Sequence, residues 1–224
     1  MNCKKGDLMT AMNFIYSKKA HAFSVLSLVF SIYFFAEASG EGASSFDTWS
    51  QKIISNLFGT SSHTFFEIIS EFGSKQGIGL VALLFIIWLW WKKKDYSAMT
   101  VFALAIASGN MFNKYIKDFV GRERPATAPA EDLLSLSFPS GHAMIGIILY
   151  LLIVYFLVNH MKKKSIQITI AITIGVLVLL VGVSRNVLLA HYPSDVVGGF
   201  ALGYLWTYIW IIIYELIEKK RKTT

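Results

Sequence analysis

Long apolar stretches alternate with short polar segments along most of the 224-residue chain. Six stretches are candidates to cross a bilayer as helices, because a helix satisfies its own backbone hydrogen bonds where no water is available. The predicted spans are residues 22–37, 77–91, 96–116, 143–158, 166–189 and 196–217. The pattern therefore predicts an all-α, polytopic membrane protein with six transmembrane helices.

Composition and charge support a membrane protein and give it an orientation. Hydrophobic residues make up 54% of the chain and charged residues only 16%, far from the averages of soluble domains. Many of the basic residues behind the net charge of +7 lie in four short clusters that border the apolar stretches. These clusters are Lys4, Lys5, Lys18 and Lys19; Lys92, Lys93 and Lys94; Lys162, Lys163 and Lys164; and Lys219, Lys220, Arg221 and Lys222. Basic residues concentrate in cytoplasmic loops, so both termini, including residues 1–21, are predicted to be cytoplasmic.

The distribution of these charges argues against nucleic-acid binding. No basic stripe follows one exposed helix face, and no aromatic-rich groove accompanies the lysines. The single cysteine, Cys3, excludes an intrachain disulfide and a cysteine-based metal site. We therefore expect one membrane-embedded domain over residues 1–224, and we infer no obligate protein partner.

Residues 38–76 form the longest segment between predicted spans, and they lie on the external side in this topology. Apolar residues such as Ile53 and Phe65 are mixed there with Asn, Ser and Glu. Short amphipathic helices on the outer membrane interface would explain this mixture. An ordinary packed loop explains it equally well, so both interpretations stay open.

Three polar clusters stand at the ends of apolar stretches, at residues 117–125, 139–142 and 184–195. Counting spans places all three on the same side of the membrane, whichever the absolute orientation. The basic clusters make that side the external one. Together the three supply fixed cations, two histidines and a carboxylate, which suit a phosphate group and the chemistry of its removal.

The cations of these clusters match the needs of a phosphate group. Arg124 and Arg185 carry planar, permanently charged side chains that can bind two phosphate oxygens at once. Lys117 adds a third positive charge. Converging cations would repel a metal ion and attract an oxyanion, so we favour phosphate over a metal site built from the histidines and the aspartate.

The remaining polar residues suit the reaction itself. Ser140 is a predicted N-cap, and Gly141 would let a ligand approach the exposed amides at the start of a helix. His142, in the first turn, is placed to donate a proton. Asp195, four residues after His191, can orient that ring and leave its second nitrogen free to attack. Taken alone, each feature has an ordinary alternative; Asp195, for example, could simply complement a helix dipole.

The three clusters resemble the signature of the phosphatidic acid phosphatase type 2 superfamily, which includes the vanadium haloperoxidases and glucose-6-phosphatase. That signature reads K-x6-RP, then PSGH, then SR-x5-H-x3-D. In this chain it is met by Lys117, Arg124 and Pro125; Pro139, Ser140, Gly141 and His142; and Ser184, Arg185, His191 and Asp195. Three motifs in order at the family's spacing argue against coincidence. The match places the catalytic core in residues 96–217.

The resemblance implies a role for each matched position. His191 would be the nucleophile that forms a phosphohistidine, Asp195 would orient it, and His142 would protonate the leaving oxygen. The phosphoryl oxygens would be held by Lys117, Arg124, Ser140, Gly141 and Arg185. Water would then hydrolyse the intermediate, and the resemblance to the phosphatases of the family implies neither a metal nor another cofactor.

Six spans and a site at the outer interface resemble the bacterial membrane branch of this family, whose substrates are lipid phosphates. We therefore expect an integral lipid phosphatase of a bacterial-type cytoplasmic membrane, surrounded by membrane lipids and acting on a lipid phosphate or diphosphate. An external site favours undecaprenyl diphosphate, with phosphatidylglycerophosphate and phosphatidic acid as the alternatives. A haloperoxidase is disfavoured because those enzymes are generally soluble. A non-catalytic lipid-binding protein would not need both histidines, the aspartate and the full set of cations.

Overall fold

The structure is a computed structural model that describes residues 17–40, 42–130 and 132–223. These residues form eight α-helices and no strand, which confirms the predicted all-α class. The helices are α1 (Lys18–Ala38), α2 (Ser45–Leu57), α3 (His63–Glu71), α4 (Lys75–Trp88), α5 (Tyr96–Val120), α6 (Gly141–Val158), α7 (Lys164–Val187) and α8 (Pro193–Thr223). Residues 1–16 of the predicted N-terminal segment, with Cys3, lie outside the described residues.

Within the described residues, five helical segments are long and apolar enough to cross a membrane. They are Lys18–Ala38, Lys75–Lys92, Gly141–Val158, Lys164–Val187 and Pro193–Arg221. The remaining predicted span, residues 96–116, lies in the 25-residue helix α5, which carries Ser108, Asn110 and Asn113. These polar positions make α5 less apolar than the others, and it packs against α6 and α8. The chain is therefore a polytopic membrane protein, while the number of six crossings and the cytoplasmic termini stay predictions.

Helix α6 lies at the centre of the bundle, in contact with α5, α7 and α8. Its residues 143–158 include no charged side chain, and neighbouring helices bury most of them. The core consists of buried side chains of α6 and of its neighbours, including Phe85, Phe102, Ile148, Leu149, Leu152 and Phe156. The N-terminal end of α6, which carries His142, is thereby fixed by packing on several sides.

Two glycines on α8 let that helix approach α6 closely. A Cβ atom at Gly199 would lie 2.9 Å from the Ser140 carbonyl oxygen, and one at Gly203 would lie 2.6 Å from that of Met144. The four-residue spacing puts both glycines on one helix face, as in other close helix contacts within membranes. This contact places the first turn of α8 beside the first turn of α6. The polar clusters at residues 139–142 and 184–195 are thereby brought together.

Helix α5 ends where the chain turns back across the end of the bundle. Gly121, with a φ of 69°, ends it in the left-handed conformation that glycine adopts freely. The hydropathy pattern predicted the end of this span at residue 116, but the helix continues to Val120. Lys117 and Asp118 are polar without breaking a helix, which explains the difference. Lys117 therefore lies in the last turn of α5 and not in the loop beyond it.

The segment at residues 38–76 consists largely of α2 and α3, which pack against α7, with α2 also touching α8. Asp47 and Phe66 are each only 1% exposed, so the segment contributes to the interior. Its outer side is apolar, with Trp49, Leu57 and Phe65 more than half exposed. The segment thus forms short helices packed on the bundle, and its contact with the external membrane interface stays a prediction.

Candidate active site

Residues from all three polar clusters meet at one end of the helical bundle, beside α2 and α3. The Arg124 guanidinium donates a hydrogen bond to the Ala190 carbonyl oxygen (2.7 Å), and the Ser140 N–H donates to the Asp195 carbonyl oxygen (3.0 Å). The residues singled out from the sequence that the structure brings together are Lys117, Arg124, Ser140, Gly141, His142, Arg185, His191 and Asp195.

His191 lies in the short loop between α7 and α8 and is almost completely buried. Its Nδ1 atom lies 3.4 Å from Asp195 Oδ2 and 3.3 Å from Ser137 Oγ. The Asn186 side chain donates to the His191 carbonyl oxygen (3.0 Å) and holds the loop in place. Because Nδ1 faces these partners, Nε2 is the ring nitrogen left to react.

Burial determines the protonation state of this imidazole. It lowers the pKa of His191 from 6.5 to about 4, against the opposing effect of the Asp195 carboxylate. The positive charges of Arg124 and Lys117 act in the same direction as burial. The ring is therefore neutral at pH 7, which is the form whose lone pair can attack phosphorus.

Asp195, in the first turn of α8, is held by hydrogen-bond donors on both carboxylate oxygens. Oδ2 accepts from the Ser137 hydroxyl and from the Tyr192 N–H, the latter at 3.0 Å. Oδ1 accepts from the Arg122 guanidinium at 2.7 Å. A carboxylate fixed at these points has one orientation, so Asp195 can in turn orient the His191 ring.

His142 lies in the first turn of α6, and the loop between α3 and α4 covers it. Gly73 in that loop approaches so closely that an added Cβ atom would lie 2.9 Å from His142 Cδ2. Arg185 and His191 are near enough to act on His142 electrostatically. A histidine beside both the proposed nucleophile and a phosphate-binding arginine could give a proton to a leaving oxygen.

Asp132 joins the two arginines that were predicted to bind phosphate. Its carboxylate oxygens lie 3.2 Å from Arg124 Nη1 and 2.8 Å from Arg185 Nη2. Arg124 also donates to the Ser135 carbonyl oxygen (2.8 Å), and Arg185 donates to the Ser70 hydroxyl (2.9 Å). These contacts hold two like charges side by side around a carboxylate, which guanidinium groups bind in the same way as phosphate.

Lys117 completes the group of cations from the last turn of α5. Its Nζ donates to the carbonyl oxygens of Leu136 (2.5 Å) and Ser137 (2.9 Å). Asn113, one turn earlier, donates to the Pro139 carbonyl oxygen (3.3 Å). Helix α5 therefore fixes the loop that leads into α6 and supplies an amine. Burial lowers the pKa of Lys117 to about 7, and a bound phosphate would favour its charged form.

Three buried polar atoms at the site have no hydrogen-bond partner among the described residues: Ser140 Oγ, Arg185 Nε and Arg122 Nε. Ser140 occupies the N-cap position of α6, as predicted, but its side chain makes no capping hydrogen bond. An added Cβ at Gly141 would come no closer than 3.6 Å to Asn113 Oδ1, so packing does not fill the space beside this backbone. Buried polar atoms normally have partners, and phosphoryl oxygens would supply them at the N-terminal end of α6.

A cavity of about 430 Å³ opens beside His191, between α2 and the loop that follows Arg124. Gln51 and Lys52 line it from α2, and Pro125 lines it from the loop. Its volume lies within the range of small-molecule sites. The cavity provides room for a polar head group next to the proposed nucleophile.

Four residues that shape the site were not predicted from the sequence: Asp47, Arg122, Ser137 and Asp132. The signature includes Arg124 but not Arg122, so nothing in it marked the earlier arginine. Ser44 and Asp47 form a capping box at the start of α2, a pattern that the sequence does contain. That pattern predicts where a helix begins, and it does not predict a partner 75 residues away.

The charges of the site suit an anion. The described part of the chain has no group of three or more His, Cys, Asp or Glu side chains that could hold a metal ion. The cations Lys117, Arg124 and Arg185 lie instead around the two histidines. Independence from metals stays a prediction, to be tested by chelation.

Comparison with curated proteins supports the resemblance seen in the sequence. The model of the PAP2 superfamily matches residues 98–219. Phosphatidylglycerophosphatase B of Bacillus subtilis (strain 168) is 39% identical over 123 residues, which make up 53% of this chain and 59% of that protein. The match therefore spans less than two thirds of this relative.

Two solved structures share the fold. The crystal structure of a transmembrane PAP2-type phosphatidylglycerolphosphate phosphatase from Bacillus subtilis superposes with a TM-score of 0.76 at 26% identity, over 88% of this chain and 96% of that one. The crystal structure of Aquifex aeolicus LpxE superposes with a TM-score of 0.56 at 23% identity, over 76% and 95% of the two chains, which shows the fold alone. Since the family model covers more than half of the chain and all three signature motifs, the chain belongs to the PAP2 superfamily.

Proposed function

We propose that this protein is an integral membrane lipid phosphatase that works through a phosphohistidine at His191. The observation that carries the proposal is a buried His191 whose Nδ1 faces Asp195, with Ser140 and Arg185, which carry unpartnered polar atoms, bonded through their backbones to Asp195 and His191. The histidine supplies a nucleophile, and the two unpartnered atoms supply contacts for phosphoryl oxygens. Membership of the superfamily and the identity with phosphatidylglycerophosphatase B support the same activity.

In the first step, Nε2 of His191 bonds to phosphorus while the bond from phosphorus to the leaving oxygen breaks. Protonated His142 gives its proton to that oxygen, so the lipid departs as an alcohol, or as a lipid monophosphate when the substrate is a diphosphate. The Asp195 carboxylate stabilises the positive charge that develops on the His191 ring.

In the second step, the now neutral His142 takes a proton from water, and the water oxygen attacks phosphorus. The bond from phosphorus to Nε2 breaks, inorganic phosphate leaves and His191 returns to its neutral form. The same histidine is therefore an acid in the first step and a base in the second, which restores the starting protonation states.

The cations of the site would stabilise the negative charge of the phosphoryl group. Lys117, Arg124 and Arg185 would offset the negative charge on the three phosphoryl oxygens in the transition state. The arginines are already held in place by Asp132 and by neighbouring oxygens, so little reorganisation is required. A phosphate must share these arginines with Asp132 or displace it.

A lipid phosphate of a bacterial cytoplasmic membrane is the proposed substrate. The names of the relatives favour phosphatidylglycerophosphate. Undecaprenyl diphosphate is the second candidate, since a site on the external face would meet the carrier after glycan transfer. In either case the chains could remain in the bilayer while the head group enters the cavity beside His191.

Phosphate release by purified protein tests the proposal. We would compare kcat/KM for phosphatidylglycerophosphate, undecaprenyl diphosphate and phosphatidic acid in detergent micelles. His191→Ala should abolish release from all three, whereas the control His63→Ala, at the start of α3, should retain it. Rapid quenching with radiolabelled substrate should trap an acid-labile phosphoenzyme in the wild type only. Appreciable turnover by His191→Ala would refute the mechanism.

Chelation tests the expected independence from metals. Because the proposed transition-state charge is offset by Lys117, Arg124 and Arg185, activity should persist in a strong chelator of divalent cations. Release of phosphate before and after dialysis against the chelator is the measurement. Loss of activity that zinc or magnesium restores would show that a metal takes part.

A further inference from the structure

Arg122 lies two residues beyond the end of α5 and is buried, with 5% of its surface exposed. Its terminal nitrogens bind two different carboxylates: Nη1 lies 2.7 Å from Asp195 Oδ1, and Nη2 lies 2.7 Å from Asp47 Oδ2. The flat face of the guanidinium lies over the Tyr192 ring, 4.1 Å from its centroid. A planar cation held at both ends and on one face has a single orientation.

Asp47 is fixed equally firmly from the opposite side. Its Oδ2 accepts the Ser44 N–H (3.1 Å) in the capping box that begins α2. Its Oδ1 accepts the Ser194 N–H at 2.8 Å, and Arg122 donates to the Ser194 hydroxyl at 2.7 Å. The start of α2 is therefore joined through Arg122 to the first turn of α8, which carries Asp195.

Charge alternates along this buried row, from Asp47 to Arg122 to Asp195 and on to the ring of His191. That ring becomes positive when Nε2 bonds to phosphorus. Arg122 alone would weaken the effect of Asp195 on the ring, and the negative charge of Asp47 offsets Arg122. The interactions are strong because the side chains of the first three residues are at most 2% exposed.

We propose that Arg122 and Asp47 are positioning residues for the nucleophile, which act on His191 through Asp195. The inference rests on the proposed function, because it assigns both residues to the step in which His191 is phosphorylated. It also gives α2, which lies outside the residues matched by the family model, a part in the reaction. Neither residue needs to touch the substrate.

Asp47→Asn removes the negative charge while it keeps the size of the side chain. Phosphoenzyme formation in single turnovers should slow by on the order of 10- to 100-fold, the effect of one lost charge-assisted hydrogen bond. KM should change by less than about twofold, and hydrolysis of the phosphoenzyme should not slow, because the His191 ring loses its positive charge in that step. Glu123→Gln, which removes an exposed carboxylate next to Arg122, should match the wild type in every rate. Equal slowing of both steps by Asp47→Asn would overturn the proposal.

A double-mutant cycle tests whether Asp47 acts through Arg122. Arg122→Gln combined with Asp47→Asn should be no slower than Arg122→Gln alone, within about twofold. Losses that multiply would show that Asp47 acts independently, and would also overturn the proposal. Arg122→Lys keeps the charge with one nitrogen instead of two, so its rate should fall between the wild type and Arg122→Gln. If Arg122→Gln does not fold in detergent, the rates of phosphoenzyme formation and hydrolysis in Asp47→Asn and Arg122→Lys test the proposal instead. Slower formation without slower hydrolysis supports it, and equal slowing of both steps overturns it.

Failure of this inference and failure of the proposed function give different results. If His191→Ala still turns over, the phosphohistidine is wrong. If His191→Ala is inactive while Asp47→Asn forms phosphoenzyme at the wild-type rate, the phosphohistidine stands and the positioning role is wrong.

Discussion

At the residue scale, the proposed chemistry depends on the protonation of His191. Burial disfavours the charged imidazole more than the neighbouring Asp195 favours it, so the pKa of His191 falls to about 4. A nucleophilic histidine must be neutral. The active form is therefore fully present well above that pKa and is lost as the pH falls through it.

This shift predicts the pH dependence of catalysis. The acidic limb of kcat/KM that belongs to His191 should lie near pH 4 and not near the ordinary value of 6.5. Phosphate esters titrate at about pH 6, so the profile needs correction for the ionisation of the substrate, measured by phosphorus NMR. A corrected limb near 6.5 would contradict a nucleophile that is held neutral by burial.

Asp132 provides a second prediction at the residue scale. Its carboxylate binds both Arg124 and Arg185, so it competes with any phosphate for the same donors. Asp132→Asn should therefore strengthen inhibition by inorganic phosphate. Because 22% of the Asp132 side chain is exposed, screening should limit the change in Ki to about fivefold.

The control for Asp132→Asn is Glu123→Gln, which removes the same charge from an exposed position near the site. Its Ki for phosphate should stay within about twofold of the wild-type value, as screening of an exposed charge implies. An unchanged or raised Ki in Asp132→Asn would show that the carboxylate supports the arginines without competing for them.

At the scale of elements, the loop between α3 and α4 controls the position of His142. A Cβ atom at Gly73 would lie 2.9 Å from His142 Cδ2 and 2.4 Å from Val181 Cγ1, so Gly73→Ala must displace one of these side chains. Misplacing a catalytic group by about 1 Å can cost on the order of 100-fold in rate. We expect kcat to fall by at least about tenfold, with little change in KM.

Gly79→Ala is the matched control for that prediction. Gly79 lies in α4, and an added Cβ there would meet nothing within 4 Å. The same replacement of glycine by alanine should therefore leave kcat unaltered at this position. Equal kcat for Gly73→Ala and the wild type would show that the loop tolerates the methyl group without moving His142.

The sequence predicted the elements that depend on local pattern. Five of the six predicted spans coincide with helical segments that are long and apolar enough to cross a membrane, because apolar runs of that size have few other stable forms in lipid. The three motifs were also sufficient to infer that His142, His191 and Asp195 share one site. Counting the predicted spans was enough to put the three motifs on the same side of the membrane.

The sequence could not predict contacts made by packing between distant segments. Asp47 reaches Arg122 from 75 residues away, and Ser137 reaches Asp195 from 58 residues away, with no periodicity or motif to indicate either pair. Asp132 likewise lies in a loop without a recognisable pattern. Such pairs depend on how α2, α7 and α8 pack, and that is a property of the assembled fold.

At the scale of the whole molecule, polar chemistry is concentrated at one end of an apolar bundle. Ile32 on α1, Leu84 on α4 and Ile172 on α7 are each more than half exposed, as a lipid-facing surface allows. Basic clusters lie at the opposite end, with Lys92 after α4 and Lys162 before α7. The position of these lysine clusters at the end opposite the proposed site is the basis for predicting an external active site.

Labelling with an impermeant thiol reagent tests that orientation. Replacing Cys3 by Ser leaves no native thiol, and Leu134→Cys then introduces one beside the site, where Leu134 is 91% exposed. Because basic loops stay in the cytoplasm, Leu134→Cys should react in intact cells, and Lys162→Cys should react only after permeabilisation. Labelling of Leu134→Cys only after permeabilisation would place the site in the cytoplasm and remove the reason for considering undecaprenyl diphosphate. Labelling of both variants from outside would contradict the predicted crossing of α6 between the two positions.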